Sequence, residues 1–121
     1  MDFNFQNSLP IWKQLCSQLK AAIVTGQYPP GSRFPSVREL AAEAGVNPNT
    51  MQRAMTQLET EGLIITNRTA GRSVTDDCAV LDNTRRSLAE ERALLFLEDM
   101  KALGYDCEAA AEMVRKGMNH E

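Results

Sequence analysis

Residues 36–62 read SVRELAAEAGVNPNTMQRAMTQLETEG, and this stretch encodes two short helices joined by a tight corner. Ser36 stands three residues before Glu39, the spacing of a capping box, in which the serine hydroxyl accepts the Glu39 N–H and the glutamate reaches back. Val37, Leu40, Ala41 and Ala44 then fall on one helical face. Gly45 suits the end of that helix, because glycine takes the left-handed conformation at little cost. Asn47-Pro48 opens a second helix, with asparagine as cap and proline at the first helical position. Met51, Ala54, Met55 and Leu58 make its apolar stripe, and Gly62 ends it. Two helices across so short a turn form a helix-turn-helix.

The flanks extend this pattern. Upstream, residues 9–26 read as a helix whose stripe is Trp12, Leu15, Leu19, Ala22 and Ile23. The Gly- and Pro-rich run from Gly26 to Gly31 breaks it. Downstream, Leu63–Thr66 reads as a strand, Thr69–Arg72 as a turn and Ser73–Thr75 as a returning strand, so a hairpin wing follows the third helix. Residues 76–79 read as a linker and 80–103 as a long helix, with Asp106 capping a last helix. The expected fold is mainly α: a winged helix-turn-helix of three helices plus a β-hairpin wing over residues 1–76, then a two-helix C-terminal tail over residues 77–121.

Composition narrows the functions available. A chain of 121 residues is too short for a TIM barrel, which takes about 250. With 43% hydrophobic and 24% charged residues it is expected to be globular. No apolar run nears the ~20 residues that span a bilayer, and the start MDFNFQNSLP lacks the basic and apolar regions of a secretory signal, so the expectation is a cytoplasmic protein. Cys16, Cys78 and Cys107 are far apart and the single histidine is His120, a poor basis for a disulfide framework, a metal site or a catalytic set. No cofactor is implied. The net charge is −3, but residues 1–77 hold seven basic and seven acidic side chains, so the whole acidic excess lies after them. The acidic tail repels phosphate, while the neutral part can still present a basic face.

The face in question is the start of the third helix. With its apolar stripe turned inward, Asn49, Thr50, Gln52 and Arg53 point out. Asparagine and glutamine can bond adenine through two hydrogen bonds, arginine can bond guanine, and threonine suits a phosphate or a thymine methyl. Arg38, in the first turn of the second helix, can grip the backbone. Arg68 and Arg72 on either side of Gly71 give a small wing tip two cations, apt for the electronegative minor groove. Each has a plainer reading: Arg38 as a solvated charge beside Glu39, Gln52 and Arg53 as the wet side of an amphipathic helix, Asn47 as a cap only.

The run from Gly26 to Val74 resembles the winged helix-turn-helix of the GntR superfamily of bacterial transcription regulators. The resemblance is carried by Pro30-Gly31, Phe34-Pro35-Ser36, Arg38-Glu39-Leu40-Ala41, Gly45-Val46, Leu58-Glu59, Glu61-Gly62-Leu63-Ile64 and Gly71 to Val74. Val46 to Ala54 and the short helical tail are similar to the YtrA branch. The resemblance implies a homodimeric regulator, expected to be a repressor, on a palindromic double-stranded DNA operator, with transporter genes among its targets. Carried over by position, it implies DNA contacts from Ser36, Arg38, Asn47, Asn49, Thr50, Gln52, Arg53, Arg68, Thr69, Gly71 and Arg72. Pro48 and Gln52 stand where many members have arginine, and the wing lacks the usual Gly-Lys-Gly-Thr, so guanine-reading and wing contacts do not transfer unchanged.

Two readers joined by symmetry cover half-sites roughly 34 Å apart. The tail supplies a joiner: Leu88, Leu95, Phe96, Met100 and Leu103 on the long helix, with Ala110, Met113 and Val114 on the next, offer more apolar surface than one chain can cover. A tail of ~44 residues leaves little room for a ligand cleft of ~300–1,000 Å³, and the sequence names no effector. The competing reading is a winged-helix protein-interaction module that never touches DNA; a fragment of an enzyme is a third, for which no catalytic residues are present.

Overall fold

The structure, a computed structural model, describes residues 1–5 and 9–118. His120 lies outside them. The elements in chain order are α1 (Ile11–Val24), α2 (Val37–Ala44), α3 (Pro48–Thr60), β1 (Ile64–Asn67), β2 (Gly71–Val74), α4 (Cys78–Ala102) and α5 (Cys107–Met118). The fold is thus mainly helical with one antiparallel hairpin, in the order the sequence predicts. Two compact units are present, Met1–Arg86 and the remainder from Ser87.

In the first unit α1 and α2 both pack on α3. Leu15, Leu19 and Ile23 of α1 meet Leu40 of α2 and Met51, Ala54, Met55 and Leu58 of α3 in one core, which Phe34, Leu63, Ile64 and Val74 complete. The four stripe residues of α3 are fully buried, so its polar residues are left outward. Both expected caps form. The Glu39 N–H donates to Ser36 Oγ at 3.1 Å, and the Asn49 N–H to Asn47 Oδ1 at 2.8 Å. Gly45 closes α2 at φ +69°. Ahead of α1, Phe3 and Phe5 stack with parallel rings and lie half-buried on the core. Tyr28 meets Phe34 edge to face at 4.9 Å, and burial, with Glu43 nearby, raises its phenol above the usual value.

The wing differs in register from expectation. Thr69–Arg72 is not the turn: Asn67 pairs with Gly71 and Thr66 with Arg72, so the loop is Arg68-Thr69-Ala70. Two local features set this. Gly71 takes φ +78°, the left-handed residue that a three-residue hairpin loop needs, and Asn67 Oδ1 accepts the Thr69 N–H at 3.1 Å. The segment from Gly31 to Phe34 also runs along the far side of β2, unforeseen in the sequence. The Phe34 N–H donates to the Arg72 carbonyl at 2.8 Å and the Val74 N–H to that of Ser32 at 2.9 Å.

Nor do residues 76–79 form a linker. Asp77 caps α4 by accepting the Ala79 N–H at 2.9 Å, and the helix begins at Cys78. Its opening turns belong to the first unit. Leu81 is buried in the core, and Arg85 Nη2 donates to the Val24 carbonyl at 2.8 Å, satisfying an orphan group at the end of α1.

The second unit comprises the rest of α4 and α5, turned at Gly104 with φ +97°. Asp106 caps α5 through the Ala109 N–H at 2.8 Å, as expected. Ala110 is buried, while Leu95, Phe96, Leu103, Met113 and Val114 are exposed and Met100 is half-buried. Leu94, Tyr105 and Met118 extend the exposed apolar set. Leu88 differs from the other expected joining residues in being buried, at 7% exposure. An open depression of about 480 Å³ lies at the α4–α5 turn between Leu97, Lys101, Tyr105 and Cys107, so the tail has more concave volume than its length suggests. No helix among the described residues is long and apolar enough to cross a membrane.

Candidate nucleic-acid interface

α3 presents its N-terminal half through its caps and stripe together. Asn47 caps the first turn, and Pro48 takes the first helical position, where no N–H is missed. The buried stripe then turns Asn49, Gln52 and Arg53 to solvent, with Thr50 half-buried beside them. From Asn47 to Leu58 no side chain is acidic. The acids begin at Glu59 and Glu61, at the other end of the helix, and both are engaged: Glu61 with Lys20 Nζ at 2.9 Å and Glu59 with Arg72 Nε at 2.9 Å. The N-terminal half of α3 therefore carries only neutral and positive groups, alongside the partial positive charge of a helix N-terminus.

The expected residues do not all stand alike. Asn49, Gln52, Arg53, Arg38, Arg68 and Thr69 are exposed. Gln52 donates to Thr56 Oγ1 at 3.2 Å, a solvent-exposed bond that a base edge can replace. Arg38 stands in the first turn of α2, and Arg68 and Thr69 stand in the wing loop. Ser36 and Asn47 spend their side-chain oxygens on backbone caps, so both position helices first. Gly71 shapes the wing turn. Arg72 is the departure: it is no free tip cation but lies in β2, half-buried, with its Nε on Glu59.

The structure adds two cationic features. Arg53 lies over the Trp12 ring at 4.2 Å, and Lys13 approaches the same ring at 5.8 Å. Arg33 is highly exposed and only loosely associated with Glu39 at 3.9 Å. In the sequence Trp12 reads as one more member of an apolar stripe, and nothing local marks its pairing with a side chain on α3. Among the described residues no group of His, Cys, Asp or Glu could hold a metal ion.

Residues 12–74, from that tryptophan to the end of the wing, match the family described as bacterial regulatory proteins, gntR family. The chain belongs to the GntR family. It is 35% identical over 115 residues to the HTH-type transcriptional regulator YhcF of Bacillus subtilis, covering 95% of each chain. It is 34% identical over 111 residues to the HTH-type transcriptional repressor YtrA of the same organism, covering 92% of this chain and 81% of that one. Among solved structures, a GntR family transcriptional regulator from Listeria monocytogenes superposes with a TM-score of 0.80 at 37% identity, over 93% of this chain and 98% of that one. The match extends into the tail and is not confined to the helix-turn-helix part. GntR proteins with this module are DNA-binding transcription regulators, not enzymes.

Proposed function

We propose that this GntR protein is a repressor that works as a homodimer on a palindromic operator. Each copy lays the N-terminal half of α3 in the major groove and the Arg68 loop against the neighbouring minor groove. The observation that carries the reading is the acid-free start of α3, where Asn49, Gln52 and Arg53 stand exposed together. Arg38 on α2 supplies a phosphate contact beside it. The exposed Leu95, Phe96, Leu103, Met113 and Val114 support joining through the tails, since so many exposed large apolar side chains on two helices call for a covering partner. The repressor assignment follows the likeness to YtrA, a transcriptional repressor, and the resemblance to that branch points to transporter genes as targets. Acting on the chromosome means acting in the cytoplasm.

The test starts with selecting duplexes from a random-sequence pool with the whole protein. Binding to the selected duplex falls steeply with salt, as counterion release demands. Arg38→Ala and Arg53→Ala each weaken it, and Arg38→Ala lowers the salt slope by about one while leaving the melting temperature within error. Parent-like binding by both variants would remove the assigned face.

A further inference from the structure

Arg72 is a wing cation by type and position, yet its guanidinium is held elsewhere. Its Nε donates to Glu59 Oε1 at 2.9 Å, and the two side chains are only 24% and 32% exposed. Arg68, one loop away, is exposed and has no ion pair among the described residues. The main chain of Arg72 is fastened too, its carbonyl accepting the Phe34 N–H at 2.8 Å. From Gly71 outward, no hydrogen bond or ion pair among the described residues leaves the hairpin. The side-chain bonds there are local, the Thr69 N–H and hydroxyl both donating to Asn67 Oδ1. Arg72 is therefore the last fastening before the tip. A hairpin of two four-residue strands is marginal by itself, so its tip sways unless tethered. The anchor is also telling, because Glu59 belongs to α3, the helix whose other end carries the exposed Asn49, Gln52 and Arg53.

We propose that Arg72 is a positioning residue: through Glu59 it clamps the wing to α3, so that the Arg68 loop and the start of α3 meet the duplex as one rigid reader. The clamp rests on the DNA face described under the proposed function and adds to it a division of labour between the two wing arginines. Arg68 touches DNA, and Arg72 sets where Arg68 stands.

The experiment measures affinity for a duplex that the parent selected from a random pool, divided by affinity for a random duplex. This ratio does not change with the folded fraction. Arg72→Gln and Glu59→Gln each lower it about fivefold, the scale of a partly exposed ion pair. The double variant Arg72→Glu with Glu59→Arg rebuilds the pair with its charges exchanged and recovers most of the loss. A phosphate contact by Arg72 gives the opposite pattern. Glu59→Gln then tightens binding by freeing the arginine, Arg72→Gln cuts the salt slope by about one, and the exchanged pair binds worst because it puts a carboxylate on the wing. That pattern, or an unchanged ratio in all three variants, overturns the clamp. A parent that selects no duplex removes the DNA face itself and the clamp with it, and is distinguished because no variant is needed to see it.

Discussion

The guanidinium of Arg53 lies 4.2 Å from the centre of the Trp12 ring, joining the solvent face of α3 to the first turns of α1. Stacking on an aromatic face restrains a long side chain and is worth ~0.5–1 kcal/mol at exposed sites. Trp12→Leu is expected to weaken binding to the selected duplex several-fold with Arg53 still present. Trp12 is the single tryptophan of the chain, so its emission reports the contact directly. Arg53→Ala should alter the emission of the free protein. It should also abolish most of the change seen when the parent is titrated with DNA. Identical spectra for parent and variant would show that the stacking does not persist in solution.

The cap at Asn47 makes a separate prediction about stability. Its Oδ1 satisfies the Asn49 N–H, and the alternative in Asn47→Ala is an unpaired donor at the corner of the motif. The expected cost is ~1 kcal/mol, read as a lowered thermal midpoint, with Asn47→Asp close to the parent. A drop in operator binding without a drop in midpoint would mean instead that Asn47 reads DNA.

Tyr28 makes the fold sensitive to alkali. Burial raises its phenol above the usual value, and Glu43 adds to the shift. The folded state thus holds the proton more tightly than the unfolded one. The stabilisation is complete below the ordinary tyrosine range near 10 and is lost as pH rises through the higher folded value. Denaturant melts of the parent should weaken across that alkaline window, and those of Tyr28→Phe should weaken less. Equal slopes would place the alkaline loss on other groups.

The tail is expected to yield monomers when its exposed face is charged. Leu95 and Val114 are each about half exposed within one chain, so Leu95→Glu with Val114→Glu leaves the fold of the single chain intact. Light scattering should then give half the mass of the parent, with helical circular dichroism retained. Affinity for a palindromic duplex should fall far more than affinity for a half-site.

The helix-turn-helix was legible because every signal for it is local. Ser36 with Glu39, Gly45, Asn47-Pro48 and the stripe Met51, Ala54, Met55, Leu58 each lie within a turn or two of what they determine. The wing was legible as a hairpin but not in register, since the loop depends on Gly71 adopting a positive φ and on the Asn67 side chain closing the turn. Long-range partners were hidden. Arg72 meets a carboxylate thirteen residues away, Arg85 meets a carbonyl sixty-one residues away, and Trp12 meets an arginine on another helix. The expected linker disappeared for a related reason. Leu81 has a place in the first core, and no periodicity within α4 announces it. The burial of Leu88 was hidden as well, because apolar spacing does not say whether a residue is covered within its own chain.

The carboxylates at the far end of α3 hold Lys20 and Arg72 out of circulation. On the proposed DNA reading, each cation so held is one fewer for anonymous chromosome, where the grip is almost all phosphate charge. The pairing would then shorten the time a molecule spends stalled on unrelated sequence.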